Sequence, residues 1–239
     1  VRLILASQSP RRREILDMMG LGGKYMATPS PLDEESLQQS LKRDNPPRVY
    51  TRILAEKKAL ALAETLLTSS SSSSSSDDGD VVAVPTLVLG SDTIVELDGT
   101  ILEKPKSHDE AREMLSRLSN AQHEVHTGVA VYRVSPPPPT TTTTTASNDD
   151  DGNSNSSGRH IELVSSFTDT AQVQFAELSS EDIEAYILSG EPMDKAGSYG
   201  IQGIGGQFVQ SIQGDFFTVM GLPMHPVSRT LAQAILESL

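Results

Sequence analysis

Four short segments of the sequence carry residue types that could bind an anion or activate water. In the first, residues 7–13, two serines and a proline precede three consecutive arginines. Where a strand ends in hydroxyl residues and a helix follows directly, unpaired backbone N–H groups are exposed at the helix N-terminus. These groups and the helix dipole both favour the binding of an anion. Arginines add paired donors for phosphate oxygens. The same pattern is also typical of a capped surface helix with a basic stripe, so this segment alone leaves both interpretations open.

The second and third segments place a charged residue beside apolar, strand-like runs. Asp92 lies between residues 88–89 and 94–95, where an unpaired carboxylate would be costly to bury. At the end of a strand it could face a cleft, hold a divalent cation and accept a proton from water. It could equally cap a turn. Lys104 is held extended by the proline that follows it, and its ammonium could enter the same cleft or be solvated.

The fourth segment, residues 194–206, contains five glycines between positions 197 and 206. Glycines allow the backbone to wrap closely around a ligand. Gln202 offers both a donor and an acceptor, which suits the edge of a nucleobase. A glycine-rich structural turn is the alternative, but the charged pair Asp194-Lys195 at the start of the segment favours a functional loop.

The five histidines show no metal-ligand spacing, and we expect all of them to be non-catalytic. His123 and His126 are three residues apart in a strand-like segment, so their side chains should lie on opposite faces of a sheet. The chain has no cysteine. This excludes a disulfide framework, a thiolate zinc site and a cysteine nucleophile.

Composition and charge limit the class of protein. The chain has 239 residues, of which 36% are hydrophobic, and a formal net charge of −13. Because DNA and anionic membranes attract basic surfaces, such an acidic chain is not expected to bind either. No apolar run approaches the roughly 18 residues of a transmembrane helix. The sequence therefore predicts a cytoplasmic globular protein, with any anionic ligand held by a local cluster of basic groups.

Strand and helix signals alternate along the chain and predict one α/β unit with a mixed sheet. The predicted strands are residues 3–6, 86–89, 93–97, 125–134 and 161–175, with a further hairpin of 208–212 and 216–220. The predicted helices are residues 11–19, 49–67, 107–118, 179–188 and 226–239. Residues 69–80 and 136–158 are of low complexity and are predicted to be disordered surface loops. We therefore expect a single domain over residues 1–239 with two inserts.

In their order along the chain, these segments resemble the Maf family of nucleotide pyrophosphatases. The matching strings are LASQSPRR (5–12), LAEKKA (54–59), SDTIV (91–95), EKP (103–105), HEVHTGV (123–129), GEPMDKAGSYGIQ (190–202) and VMGLP (219–223). The resemblance implies a Maf-like (inosine triphosphate pyrophosphatase-like) α/β domain with two lobes around a central cleft. It also implies hydrolysis of nucleoside triphosphates to the monophosphate and pyrophosphate, with Mg²⁺ or Mn²⁺ as cofactor.

The resemblance also assigns roles to residues. It implies that Asp92 is the general base and a metal ligand, and that Glu34, with Glu35 as the alternative, is the second metal ligand. It implies substrate-binding residues that are all hydroxyl or basic: Ser7, Arg11, Arg12, Lys58, Lys104 and Lys195.

Three further positions bear on substrate choice. Arg11, Thr93 and Gln202 are the residues of the dTTP/UTP pyrophosphatase-type subgroup, whereas the 7-methyl-GTP subgroup typically has Trp, Gln and Glu there.

The resemblance also implies a homodimer, and some eukaryotic relatives carry a fused domain. Two alternatives remain: a catalytically silent nucleotide-binding regulator of cell division, and a pyrophosphatase that acts on modified purine nucleotides.

Overall fold

The computed structural model describes residues 1–68, 84–135 and 160–238. The two predicted inserts, residues 69–80 and 136–158, lie outside these ranges, so the prediction of disorder is not tested. Within the described ranges, no helix combines the length and the apolar character needed to cross a membrane.

The strands of the described residues form one mixed sheet. They are β1 (Arg2–Leu5), β2 (Tyr25–Ala27), β3 (Thr86–Leu97), β4 (Thr100–Leu102), β5 (Gln122–Ser135), β6 (His160–Phe175) and β7 (Val209–Gln213). The order in the sheet is β2-β1-β3-β5-β6-β7, and β4 pairs with β3. Strand β1 is parallel to β2 and β3, and the remaining pairs are antiparallel. This confirms the predicted α/β class and mixed sheet.

Helices cover both faces of the sheet. They are α1 (Pro10–Leu16), α2 (Glu34–Asp44), α3 (Pro47–Thr68), α4 (His108–Leu118), α5 (Ser180–Leu188), α6 (Phe216–Met220) and α7 (Met224–Leu236). The predicted helix over 11–19 is shorter than expected, because a wider helical turn with Gly20 at φ 76° follows α1. Strand β2 and helix α2 were not predicted from the sequence.

Helix α3 lies unusually close to β3 and β5 because both strands present a glycine to it. A Cβ atom at Gly90 would lie 2.4 Å from the carbonyl oxygen of Ala55, and one at Gly128 would lie 2.4 Å from that of Thr51. Any side chain at either glycine would therefore push the helix away from the sheet. This close approach brings the basic residues of α3 within reach of the middle of β3.

The prediction of two strands over 86–89 and 93–97 was wrong, because β3 runs without a break from Thr86 to Leu97. The Gly90-Ser91 pair looks like a turn in the sequence. In the structure, Gly90 makes room for α3, and the fully buried Ser91 donates a hydrogen bond to the carbonyl of Gly221. Asp92 consequently lies in the middle of a strand rather than at its end.

The prediction of a strand over 216–220 was also wrong, since this segment is helix α6. The Asp215 side chain accepts a hydrogen bond from the backbone N–H of Phe217 and caps the helix. Gly221, at φ 119°, ends it. A five-residue apolar run has no periodicity that separates a strand from a buried helix. The strand predicted over 208–212 is present as β7 and is correct to within one residue, but it pairs with β6 rather than with residues 216–220.

Two core clusters pack on the same face of the sheet at opposite ends of β3. One contains Leu87 and Leu89 together with side chains of α1 and α7, and the other contains Val95 and Leu97 together with side chains of α4 and α5. A third cluster lies under α3 on the other face. The middle of β3 lies between the first two clusters, which is where a cleft can form.

Candidate active site

A cleft of about 750 Å³ opens around the middle of β3. Its walls come from the β1–α1 loop, helices α2 and α3, the segment after β4, and the loops that follow α5 and α6. Nine residues that the sequence analysis proposed as site residues line it: Ser7, Arg11, Arg12, Glu34, Lys58, Asp92, Thr93, Lys104 and Lys195. The structure thus brings together side chains that are up to 188 positions apart in the sequence. Glu35, the alternative to Glu34, is exposed and does not line the cleft.

Two carboxylates meet on one buried ammonium group on the α3 side of the cleft. The Nζ atom of Lys58 lies 2.7 Å from Oδ1 of Asp92 and 2.8 Å from Oε2 of Glu34. The side chains of Lys58 and Asp92 are 10% and 13% exposed. A buried charge is stable when it is paired, so Lys58 offsets the cost of enclosing Asp92. The trio keeps one net negative charge.

Arg12 lies on the opposite side of β3 and is held by three neutral acceptors. Its Nε donates to the carbonyl of Gly221 (2.9 Å), and its two terminal nitrogens donate to the hydroxyl groups of Ser7 and Thr93 (both 3.2 Å). Burial lowers the pKa of the Arg12 guanidinium, and the nearby charge of Asp92 opposes that change. The hydrogen bonds fix the plane of the guanidinium at the cleft wall.

Thr93 takes part in this arrangement from the centre of the sheet. Its hydroxyl lies 3.0 Å from that of Thr127 on β5, in addition to its contact with Arg12. The Thr127 hydroxyl in turn donates to the carbonyl of Thr218. Thr93 was predicted to bear on the choice of nucleobase, but in the structure its side chain orients the guanidinium of Arg12.

Basic residues from three elements lie at the mouth of the cleft. Arg11 is 3.6 Å from Asp194 across the gap between α1 and the loop after α5. Lys195 donates to the carbonyl of Glu191 (2.7 Å) and to Asp194 (2.6 Å). Lys104 is exposed and lines the cleft. These groups supply positive charge where an anionic ligand would enter.

Gln202, like Glu35, does not line the cleft, whereas the other nine residues proposed for the site do. Its side chain is exposed, and its amide donates to Oε2 of Glu14 on α1 at 3.0 Å. The adjacent residues Gly200 and Ile201 do line the cleft. The amide therefore lies at the rim and must turn away from Glu14 before it can face a ligand.

Comparison with known proteins identifies the family of this chain. Residues 2–234 match the sequence profile described as Maf-like protein. The chain belongs to the Maf family. The match covers nearly all of the described residues, and it confirms the family that the order of the motifs predicted.

Similar proteins in animals and bacteria carry related names. The chain is 38% identical over 233 residues to the human "Probable bifunctional dTTP/UTP pyrophosphatase/methyltransferase protein". That alignment covers 97% of this chain but 32% of the human protein, so the chain spans about a third of that relative. It is 36% identical to a "dTTP/UTP pyrophosphatase" of Bacillus cereus and 37% identical to one of Vibrio cholerae, covering 95% and 96% of those proteins.

Sequence reasoning did not find Tyr50 and Glu103, which also line the cleft of this Maf-family chain. The Tyr50 hydroxyl donates to Oε1 of Glu103 at 3.2 Å, and Lys42 pairs with the other oxygen of Glu103. Burial raises the pKa of Tyr50, with Asp92 and Glu103 adding to the effect. Glu103 was part of a matched string, but nothing in the sequence showed that α2 and α3 supply its partners.

Glu191 was also missed, although it organises the glycine-rich loop. Its carboxylate accepts hydrogen bonds from the backbone N–H groups of Ile204 (2.9 Å) and Gly205 (3.2 Å) and from the hydroxyl of Tyr186 (2.9 Å). Burial alone would raise the pKa of Glu191, but these hydrogen bonds and the charge of Lys195 lower it. The loop is therefore shaped by an internal carboxylate.

The two central histidines lie on opposite faces of the sheet, as predicted. His123 packs edge-on against Phe175 and Tyr199, and its Nε2 lies 2.9 Å from the Tyr199 hydroxyl. His126 contacts Thr170 on the α3 face. Neither histidine lines the cleft.

Proposed function

We propose that this chain hydrolyses nucleoside triphosphates, including dTTP and UTP, to the monophosphate and pyrophosphate. The Maf-family match supports the reaction class. The bacterial relatives named dTTP/UTP pyrophosphatase align over nearly their whole length and support the substrates.

The observation that carries the proposal is the environment of Arg12. Its guanidinium is partly buried and has only neutral hydrogen-bond acceptors. No carboxylate of the described residues lies within 4.0 Å of it. A buried charge without a counter-ion is costly, and a phosphate oxygen at the cleft wall would offset that cost. Arg11, Lys104 and Lys195 add positive charge on the surrounding walls.

Asp92 is the group that we propose to activate water. One of its oxygens contacts Lys58, and the other, which accepts no hydrogen bond from the described residues, could accept a proton in the cleft. In the proposed reaction, water attacks the α-phosphorus and Asp92 takes its proton. The bond to the bridging oxygen breaks, and pyrophosphate leaves. The fixed cations Arg12 and Lys195 stabilise the charge that develops on the leaving group.

Glu34 and Asp92 fit a divalent cation, Mg²⁺ or Mn²⁺. Both carboxylates converge on the same ammonium group, and each has a second oxygen beyond the one that contacts Lys58. Hard divalent cations prefer such oxygen ligands. When bound, the ion would neutralise phosphate charge and favour the deprotonated form of a bound water. Lys58, assigned to phosphate binding by the resemblance, would then act mainly on these two carboxylates.

We propose a pyrimidine preference from Arg11, Thr93 and Gln202. For this preference, Gln202 must release Glu14 and turn into the cleft, because in the structure it is hydrogen-bonded to Glu14 and does not line the cleft. The homodimer and the cytoplasmic location stay predictions, as do the alternatives of a silent regulator and of a pyrophosphatase for modified purine nucleotides.

The test is product analysis with UTP, dTTP, CTP, GTP and 7-methyl-GTP in Mg²⁺-containing buffer made with ¹⁸O-labelled water. We expect equal amounts of monophosphate and pyrophosphate, with the label in the monophosphate and the fastest turnover for dTTP and UTP. Label in pyrophosphate, or release of single phosphates, would overturn the proposed attack at the α-phosphorus. Tight binding of UTP without turnover would favour the silent regulator.

A further inference from the structure

Three potential metal ligands, Glu96, Glu124 and His126, meet on the sheet outside the cleft. Glu96 is directly opposite Glu124 in the pairing of β3 with β5, and His126 is two residues further along β5. Because residues opposite each other, and residues two apart on one strand, share a face, all three side chains lie on the face that carries α3. Their ligand atoms lie within 4.8 Å of one another. None of the three lines the cleft.

His126 lies at the buried end of this cluster. Its side chain is fully enclosed, with Nε2 at 2.7 Å from Oε2 of Glu96 and 3.5 Å from Oε2 of Glu124. Its Nδ1 lies 2.9 Å from the hydroxyl of Thr170 on β6. The side chains of Glu96 and Glu124 are 20% and 40% exposed. The cluster is therefore open to solvent on the side of Glu124.

The cluster places the carboxylates of Glu96 and Glu124 side by side on neighbouring strands. Like charges directly opposite each other on neighbouring strands destabilise a sheet. Within the described parts of the chain, no lysine or arginine lies within 4.0 Å of either carboxylate. Ionised carboxylates accept hydrogen bonds but cannot donate them. Nε2 of His126 contacts Glu96 at 2.7 Å, but Oε2 of Glu124 at 3.5 Å is beyond good hydrogen-bond distance. The other oxygen of Glu124 accepts a long hydrogen bond of 3.4 Å from the amide of Gln172.

We propose that Glu96, Glu124 and His126 bind a divalent transition-metal ion of the zinc class. Such an ion takes imidazole nitrogen and carboxylate oxygen at about 2.0–2.2 Å, so its ligand atoms are typically about 3.3–3.6 Å apart. The Nε2–Glu124 separation already falls in this range, and Glu96 must retreat by less than about 1 Å. The Thr170 hydroxyl lies 2.9 Å from Nδ1 and can accept its proton, which would orient the ring as outer hydrogen bonds do in metal sites. Three protein ligands leave a fourth position for water or another small ligand.

The proposed site is separate from the Asp92–Glu34 pair and differs from it in chemistry. Asp92 and Glu96 are four residues apart on one strand, which corresponds to about 13 Å. Ile94 lies between them and packs with Tyr50 in a buried apolar cluster. Carboxylates alone suit Mg²⁺, whereas an imidazole nitrogen favours zinc and its neighbours in the first transition series. The chain can therefore hold two different ions at once.

Zinc binding in the presence of excess Mg²⁺ tests the proposal. The parent protein is the Asp92→Asn variant, which weakens zinc binding in the cleft. After incubation with zinc chloride and desalting, we expect metal analysis to find about one zinc ion per chain. Adding Glu124→Gln should weaken zinc affinity at least about tenfold, since it removes a ligand while leaving the partly exposed side chain isosteric. Adding Glu113→Gln, the same change at an exposed position on α4, is the matched control and should not alter zinc binding.

Thermal unfolding supplies a second readout. Zinc should raise the melting temperature of the parent and of the Glu113→Gln control, but not that of the Glu124→Gln variant. No zinc retained by the parent, or equal zinc binding with Glu124→Gln, would overturn the proposal. His126 would then simply be hydrogen-bonded to Glu96. Since Glu124 is remote from the cleft, Glu124→Gln alone should leave UTP hydrolysis within about twofold of the unmodified protein, so this test is independent of the proposed reaction.

Discussion

The ammonium group of Lys58 lies 2.7 Å from Oδ1 of Asp92, in a nearly enclosed contact between α3 and β3. The contact exists because Gly90, two residues before Asp92, allows α3 to approach the strand. It pairs a carboxylate in the middle of a buried strand with a positive charge, and burying an unpaired carboxylate there would be costly. In the proposed reaction Asp92 takes a proton from water, so the position of α3 bears directly on that proposed role.

Lys58→Met should destabilise the fold and slow turnover. The substitution leaves Asp92 and Glu34 facing each other without their shared cation, and loss of one member of a buried pair costs about 3 kcal/mol or more. Urea unfolding measures the loss. In an Asp92→Asn background the same substitution should cost clearly less, because one of the two carboxylates is gone. An equal cost in both backgrounds would show that the Lys58 side chain contributes through packing alone.

Arg12→Lys should lower kcat/KM for UTP by at least about tenfold, equivalent to about 1.4 kcal/mol. Lysine keeps the charge but cannot reproduce the three directed hydrogen bonds that fix the guanidinium. Arg13→Lys is the matched control, since Arg13 is the adjacent residue and is exposed. Steady-state kinetics with both variants decides the matter. Similar losses for the two variants would mean that Arg12 acts only as part of a diffuse basic surface.

Gln202→Glu should lower kcat/KM for UTP and dTTP by about tenfold, while Gln202→Ala should reduce discrimination among bases. A carboxylate cannot donate to O4 of uracil or thymine. In the free protein it would also lie next to Glu14 in place of the present hydrogen bond. The measurement is the ratio of pyrimidine to purine kcat/KM values. If all nucleotides lose activity equally, Gln202 only braces the loop against α1.

His123 should make the fold less stable in acid. Burial lowers the pKa of His123 to about 4 from an ordinary value of 6.5. The unfolded chain therefore binds the proton more readily than the folded one. The stability contribution is complete above pH 6.5 and is lost progressively as the pH falls from 6.5 towards 4.

A pH series of urea unfolding measures this dependence. In His123→Gln, which does not titrate, the decline between pH 6.5 and 4 should be smaller than in the unmodified protein. His225→Gln is the control, because His225 is exposed, and its decline should match that of the unmodified protein. An unchanged decline in His123→Gln would show that other groups cause the acid sensitivity.

Local signals in the sequence predicted local structure well. The helices predicted over 107–118 and 179–188 are both present, and the side chains of Ser107 and Ser179 cap their first turns. Asp98-Gly99, a pair typical of tight hairpin turns, joins β3 to β4, and both residues adopt the positive φ that such a turn needs. Each of these features depends on a few consecutive residues, so no knowledge of the tertiary structure was required.

Features that depend on distant contacts could not be predicted in the same way. The continuity of β3 through Gly90 depends on α3, which lies about 30 residues earlier. The cluster around His126 joins two strands, so spacing between histidines gave no sign of it. Gln202 was expected at the ligand from a motif, but its actual partner is Glu14, which lies 188 residues away in the sequence.

The most direct test of the account is single-turnover hydrolysis of UTP by the Asp92→Asn variant with saturating Mg²⁺. The neutral amide keeps the shape of the side chain but cannot take a proton from water. We expect UTP binding to be retained or tightened, because a negative charge near the triphosphate is removed, while pyrophosphate release falls by more than about a hundredfold. A decrease of less than about tenfold, or about 1.4 kcal/mol, with binding intact would contradict the assignment of Asp92 as the general base.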